Sequence, residues 1–138
     1  MNSVLLITGA AVLTLAALIH VYIFVLESVR WSKPSTWRGF GVKTQADADV
    51  VRPMAFNQGF YNLFLAIGVA LGVLLIGSGH TVAGIAIAMF AASSMLAAAV
   101  VLIVSSPKLA RAAAIQGGAP LVGIALVAVA VLTSPIAL

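Results

Sequence analysis

Cysteine is missing altogether, which removes disulfides, thiolate metal sites, thiol redox chemistry and cysteine-linked haem from consideration. Charge is nearly as scarce. Charged residues make up 7% of the 138 positions, and the acidic ones are only Glu27, Asp47 and Asp49. Soluble domains are about half apolar and about a quarter charged. Here 63% of the chain is hydrophobic, more than a soluble fold of this length can hide. Lipid is therefore the natural solvent. No nucleophile motif, phosphate-binding loop or dinucleotide fingerprint is present, and "GFG" and "GSG" are too short to count as one. There is no internal repeat. The first apolar run lacks a basic flank and is too long for a signal-peptide core, so it is expected to stay as a membrane helix.

What the chain does have is four apolar stretches, at about 4–26, 54–76, 81–104 and 112–136, each near the roughly 20 residues that a spanning helix needs. The expected fold is all-α: one domain of four transmembrane helices in an antiparallel bundle. With their flanks the helices cover about 4–27, 45–76 with a kink at Pro53, 81–104 and 109–136. "GSGH" allows only a tight turn, so the second and third helices are expected to be antiparallel neighbours. "QGGAP" (116–120) is compatible with a helix interior, a kink or the loop before the fourth span.

The basic residues give an orientation. Arg30, Lys33, Arg38, Lys43 and Arg52 lie in the first connection, and Lys108 and Arg111 in the third. Four spans put those connections on one side, which the positive-inside rule makes cytoplasmic, with both termini outside. The net charge of +4 thus reports topology, and no nucleic-acid partner is expected. Trp31, Trp37 and Phe40 beside those cations suit the headgroup zone, so this loop is expected to lie on the membrane surface. In "TQAD", Thr44 is placed to cap the next helix, with Asp47 three residues on as an imperfect capping box.

The polar residues inside the spans are few and grouped. His20 and Glu27, seven residues apart, share a face of the first helix with Gly9, Leu13, Ala16, Ala17 and Phe24. In "RPMAFNQGFYNLFLAIG", Asn57, Tyr61 and Gln58 fall in one arc with Asn62 at its edge, and Gly68 and Gly72 continue it. That arc is expected to be buried, because an unpartnered amide in hydrocarbon costs several kcal/mol. Phe56, Phe60 and Phe64 form the opposite, aromatic face. Gln116 sits at a similar depth on the fourth helix. Polar residues of three helices therefore converge near the cytoplasmic leaflet. The candidate ligand-binding set is His20, Glu27, Arg52, Asn57, Gln58, Tyr61, Asn62 and Gln116. The plainer alternatives are helix-packing glue for the amides, a structural histidine at His20, and a helix cap paired with Arg30 for Glu27. A metal site is not expected, since His20 and Glu27 are too far apart to share an ion and no third ligand is evident.

"HVYIFVLESVRW", "NQGFYNLFLA" and "QGGAP" together resemble the small bacterial and fungal membrane proteins grouped as domain of unknown function 1304, over nearly the whole chain. The resemblance implies a four-helix membrane protein of unassigned activity. It marks His20, Glu27, Trp31, Asn57, Gln58, Gly59, Tyr61, Asn62, Gln116, Gly117 and Pro120 as motif positions. A more distant likeness is to membrane-associated proteins of eicosanoid and glutathione metabolism. The second helix of those proteins carries Arg, Asn and Glu that bind glutathione between subunits of a trimer. Arg52 and Asn57 are reminiscent of the first two, but their spacing is off by one, and Tyr61 or Asn62 stands in place of the acid.

The function expected from these readings is a small helical bundle in a bacterial inner membrane. It binds an amphipathic or lipid-like molecule or serves as an accessory subunit, as a homo-oligomer or within a larger complex. The alternatives are a membrane-embedded enzyme on a lipophilic substrate, with His20 or Tyr61 as acid/base, and a transporter subunit. No cofactor is assigned.

Overall fold

The computed structural model describes residues 2–133, and all the regular structure among them is helical. Helix α1 (Ser3–Phe24) runs on into a π-helical turn, Val25–Val29. The short α2 (Pro34–Gly39) follows, then α3 (Gln45–Gly77), α4 (Thr81–Ser105), a 3-10 turn at Pro107–Leu109 and α5 (Ala110–Leu132). Four segments are long and apolar enough to cross a membrane: Ser3–Val29, Gln45–Gly77, Thr81–Ser105 and Pro107–Leu132.

The helix starts follow local chemistry. Asn2 Oδ1 accepts from the Val4 and Leu5 amides, satisfying two donors that no helix can bond internally. Thr44 begins α3 as expected: its Oγ1 accepts from Asp47 N at 3.1 Å and its hydroxyl donates to Asp47 Oδ2 at 2.6 Å. The turn after α3 closes with Gly79 at φ +89°, a conformation that favours glycine. Pro53 lies inside α3 and Pro120 inside α5, so "QGGAP" is helix interior. The expected end of the last helix near 136 lies outside the described residues.

The bundle order is α1, α3, α4, α5 and back to α1, with α1 and α4 across the diagonal. Every neighbouring pair is antiparallel. On α3 and α4, Gly68 faces Ala91 and Gly72 faces Ala88; on α1 and α5, Gly9 meets Val127 and Gly123 meets Leu13. Small residues set these distances. A Cβ on Gly84 would stand 2.6 Å from Gly72 O, so α3 and α4 touch backbone to backbone. Between helices in lipid, close packing of this kind replaces the hydrophobic drive available in water. The core is correspondingly fine-grained, built on Leu13, Ala16, Val69, Ala88, Ala92, Met95 and Val127. Large apolar side chains such as Val82, Phe90 and Val101 point outward.

The first connection forms a lobe of its own under the start of α3. Trp31, Trp37, Ala48 and Ala55 make a second small core, with Phe40, Val42 and Val51 against it. Trp31 Nε1 donates to Ala48 O at 3.0 Å. Both indoles are buried, because the first turns of α3 offer them an apolar wall. Their role here is to pin the loop to α3.

Candidate functional site

Two irregularities build the site. The first is the π-turn at the foot of α1, where Arg30 N bonds Val25 O at 2.9 Å, one residue further back than in an α-helix. The second is Gly59, where α3 meets that turn. A Cβ there would collide with Ser28 Oγ and stand 3.2 Å from Glu27 Cβ. Ser28 Oγ also donates to Phe56 O at 2.8 Å, tying the end of α1 to α3. The wide turn and the missing side chain together bring Glu27 alongside α3.

There Glu27 is buried, and its Oε2 accepts from Asn62 Nδ2 at 2.9 Å. The other amide hydrogen of Asn62 goes to Gln58 O at 3.1 Å. A carbonyl can only accept, so that contact fixes which end of the amide is nitrogen. No Lys, Arg or His pairs with Glu27 among the described residues. The expected pairing of Glu27 with Arg30 is therefore corrected. The π-turn carries Glu27 inward, while Arg30 stays exposed at the cavity rim.

His20 is 2% exposed, and its Nδ1 lies 2.9 Å from Ala16 O. The carbonyl again only accepts, so Nδ1 carries the hydrogen, and Nε2 of the neutral ring keeps its lone pair.

Above Glu27 the bundle opens into a cavity of about 760 Å³. Ile19, Ile23 and Leu26 line it from α1 and the π-turn, Ala98 and Leu102 from α4, and Ala112 from α5. Thr36 and Phe40, at α2 and its end, lie over it. Near the far end of the bundle α1 and α5 touch at Gly9 and Gly123, whereas toward the loops both contribute to the cavity wall. Three wall residues, Tyr22, Val101 and Ile115, are more than half exposed, so the rim is continuous with the outer apolar surface.

Five of the eight candidate residues line this one cavity: His20, Glu27, Gln58, Asn62 and Gln116. The other three do not. Arg52, Asn57 and Tyr61 are exposed and line neither this cavity nor the smaller groove beside Trp31 and Met54. The expected buried arc on α3 is thus turned around the helix. Its buried positions are Ala55, Gly59, Asn62, Ala66, Val69 and Gly72, with Asn62 within the face rather than at its edge. Asn57 and Tyr61 lie with Phe56 and Phe64 on the outer side. A signal for this was present. The residues between membrane helices are small, and the small side chains of α3 recur every three or four positions along that face. Thr36, Tyr22 and Ser105, also at the cavity, were not singled out from sequence, and nothing in their local pattern distinguishes them. Among the described residues no three His, Cys, Asp or Glu side chains come together as a metal site would require.

A family model described as protein of unknown function, DUF1304, matches residues 14–128 and so includes every residue that lines the cavity. No curated protein and no solved structure matches the chain.

Proposed function

Since the chain belongs to the DUF1304 family, whose description names no activity, we propose from its own geometry that it binds an amphipathic, lipid-like molecule in the cavity at the loop end of the bundle. One observation carries this reading. A cavity of about 760 Å³ combines apolar walls with His20, Glu27, Gln58, Asn62 and Gln116. Small-molecule sites are mostly apolar hollows of about 300–1,000 Å³ with a few placed polar groups. The exposed Tyr22, Val101 and Ile115 at the rim let a chain enter sideways from the membrane while its head reaches the polar cluster.

The same reading includes an orientation. All seven basic residues lie in the loop-one and loop-three segments, at the end of the bundle where the cavity lies. That end faces the cytoplasm by the positive-inside rule, and the membrane is a bacterial inner membrane. Further copies of the chain or a larger membrane complex are the partners of such a bundle. The enzyme alternative rests on His20, whose Nε2 has no partner and which lines the same cavity as Glu27, so that His20 would act as acid or base on the bound molecule.

Native mass spectrometry of the protein extracted gently with its lipids tests the binding reading. A defined species is expected on the wild type and on Asn57→Ala, and it is expected to be lost from Gln116→Leu. A folded wild type that retains nothing overturns the proposal. A His20→Gln variant that holds the molecule but no longer converts it moves the case to the enzyme. The absence of native cysteine makes topology simple to test. Ser78→Cys should label from outside intact cells, and Lys43→Cys only after permeabilisation.

A further inference from the structure

The hydrogen-bond roles around the cavity are unbalanced. His20 spends its N–H on Ala16 O, leaving Nε2 as an acceptor. Asn62 spends both amide hydrogens, on Glu27 Oε2 and Gln58 O, leaving Oδ1 as an acceptor. Glu27 uses Oε2, leaving Oε1 as an acceptor. Among the described residues the only fully enclosed side-chain polar atom without a partner is Trp37 Nε1. The three acceptors are therefore not fully enclosed, and all three residues line the cavity, Glu27 lining the smaller groove beside Trp31 as well. The other polar groups around it are hydroxyls and the Gln58 and Gln116 amides, which can present either role. The one donor-only side chain at the cavity, Arg30, is exposed and sits at the rim.

Deepening the proposed amphiphile-binding function and resting on it, we infer that the polar cluster of the cavity selects a primary ammonium head group. An R–NH3⁺ group carries three donors and no acceptor; Glu27 Oε1 and Asn62 Oδ1, on side chains already bonded to each other, offer it acceptors, and His20 Nε2 is a separate acceptor elsewhere in the same cavity. It also supplies the positive charge that buried Glu27 lacks, and an unpaired buried carboxylate is costly. A fatty-acid carboxylate or phosphate pushed against Glu27 and Asn62 Oδ1 would set acceptor against acceptor, and Arg30 at the rim would be its only fixed donor. An alkyl tail then runs along Ile23, Tyr22 and Val101 toward the membrane. This chemistry has two sources: a phospholipid with an aminoethyl head, or a free long-chain amine.

The test is a head-group series on the intact protein in a nonionic detergent, read as bound adducts by native mass spectrometry. The ligands share one twelve-carbon tail: dodecylamine, dodecyltrimethylammonium, dodecanol and dodecanoate. Dodecylamine is expected to bind at least ten-fold more tightly than the other three. The trimethyl compound separates N–H donation from charge alone. Glu27→Gln keeps an acceptor for Asn62 and is expected to weaken dodecylamine at least ten-fold and dodecanol far less. If that variant does not fold, the wild-type series decides alone. Dodecanoate binding as well as dodecylamine, or no loss on N-methylation, overturns the inference and leaves amphiphile binding standing. Failure of all four to bind overturns both. Nanodiscs with equal phosphatidylethanolamine, phosphatidylcholine and phosphatidylglycerol then identify the source. Selective retention of the ethanolamine lipid points to the membrane, and retention of added dodecylamine alone points to a free amine.

Discussion

Removing either end of the Asn62–Glu27 hydrogen bond is expected to have very unequal effects. Asn62→Leu keeps the volume but leaves Glu27, 8% exposed, with no partner among the described residues. Stranding a buried polar group costs about 1–3 kcal/mol, and more if it is charged, so a loss of about 2–3 kcal/mol is expected. Glu27→Leu removes the buried carboxyl, for which no cation compensates, while Asn62 keeps Gln58 O as acceptor. Replacing a buried ionic group by a well-packed apolar one is often neutral or stabilising, so this change should stay within about 1 kcal/mol of wild type. The double variant should then resemble Glu27→Leu. Hydrogen bonds between membrane helices average about 0.6 kcal/mol and reach about 1.7. A carboxylate acceptor roughly doubles a neutral bond, to about 1.2 kcal/mol, and the cost of stranding Glu27 raises the coupling read from the cycle to about 2–3 kcal/mol, the Asn62→Leu loss itself. Reversible unfolding in mixed micelles of rising dodecyl sulfate content, followed by far-UV dichroism, gives all four corners of the cycle. Additive losses, with Glu27→Leu as damaging as Asn62→Leu, would mean that the pair does not act as drawn.

The outer face of α3 should be irrelevant to the cavity. Asn57→Ala and Tyr61→Phe are expected to leave the species seen by native mass spectrometry unchanged, whereas Asn62→Leu diminishes it; equal losses in all three would put the site elsewhere. Gly84→Leu drives a side chain into the Gly72 and Ile76 backbone. It should cost at least the ~1–3 kcal/mol typical of overpacking, seen as a lower dodecyl sulfate midpoint. The two buried indoles should respond differently to Phe. Trp31→Phe loses the bond to Ala48 O and should cost about 1 kcal/mol. Trp37→Phe removes an N–H that has no partner and should be neutral or slightly stabilising, as thermal melts can show.

Composition and run length determined the solvent, the number of spans and the helical class, because a backbone in hydrocarbon must satisfy its own hydrogen bonds and each span needs a minimum length. Local chemistry determined the Thr44 cap and the turn at Gly79, since both depend on residues within a few positions. The inward face of α1 was also legible: His20 and Glu27 stand out from apolar neighbours at helical spacing, and both prove buried. The face of α3 was misjudged from the same kind of signal. In lipid both sides of a helix are apolar, so the polar residues alone do not mark the interior, and the small residues do. Only the tertiary structure decided that Glu27 turns to Asn62 rather than to Arg30, through a π-turn that nothing in "VLESV" announces and a contact that only Gly59 admits. The cavity likewise belongs to no single segment. It exists because α1 and α5 meet closely at one end and leave room at the other, a property of how four helices pack and not of any one helix's sequence.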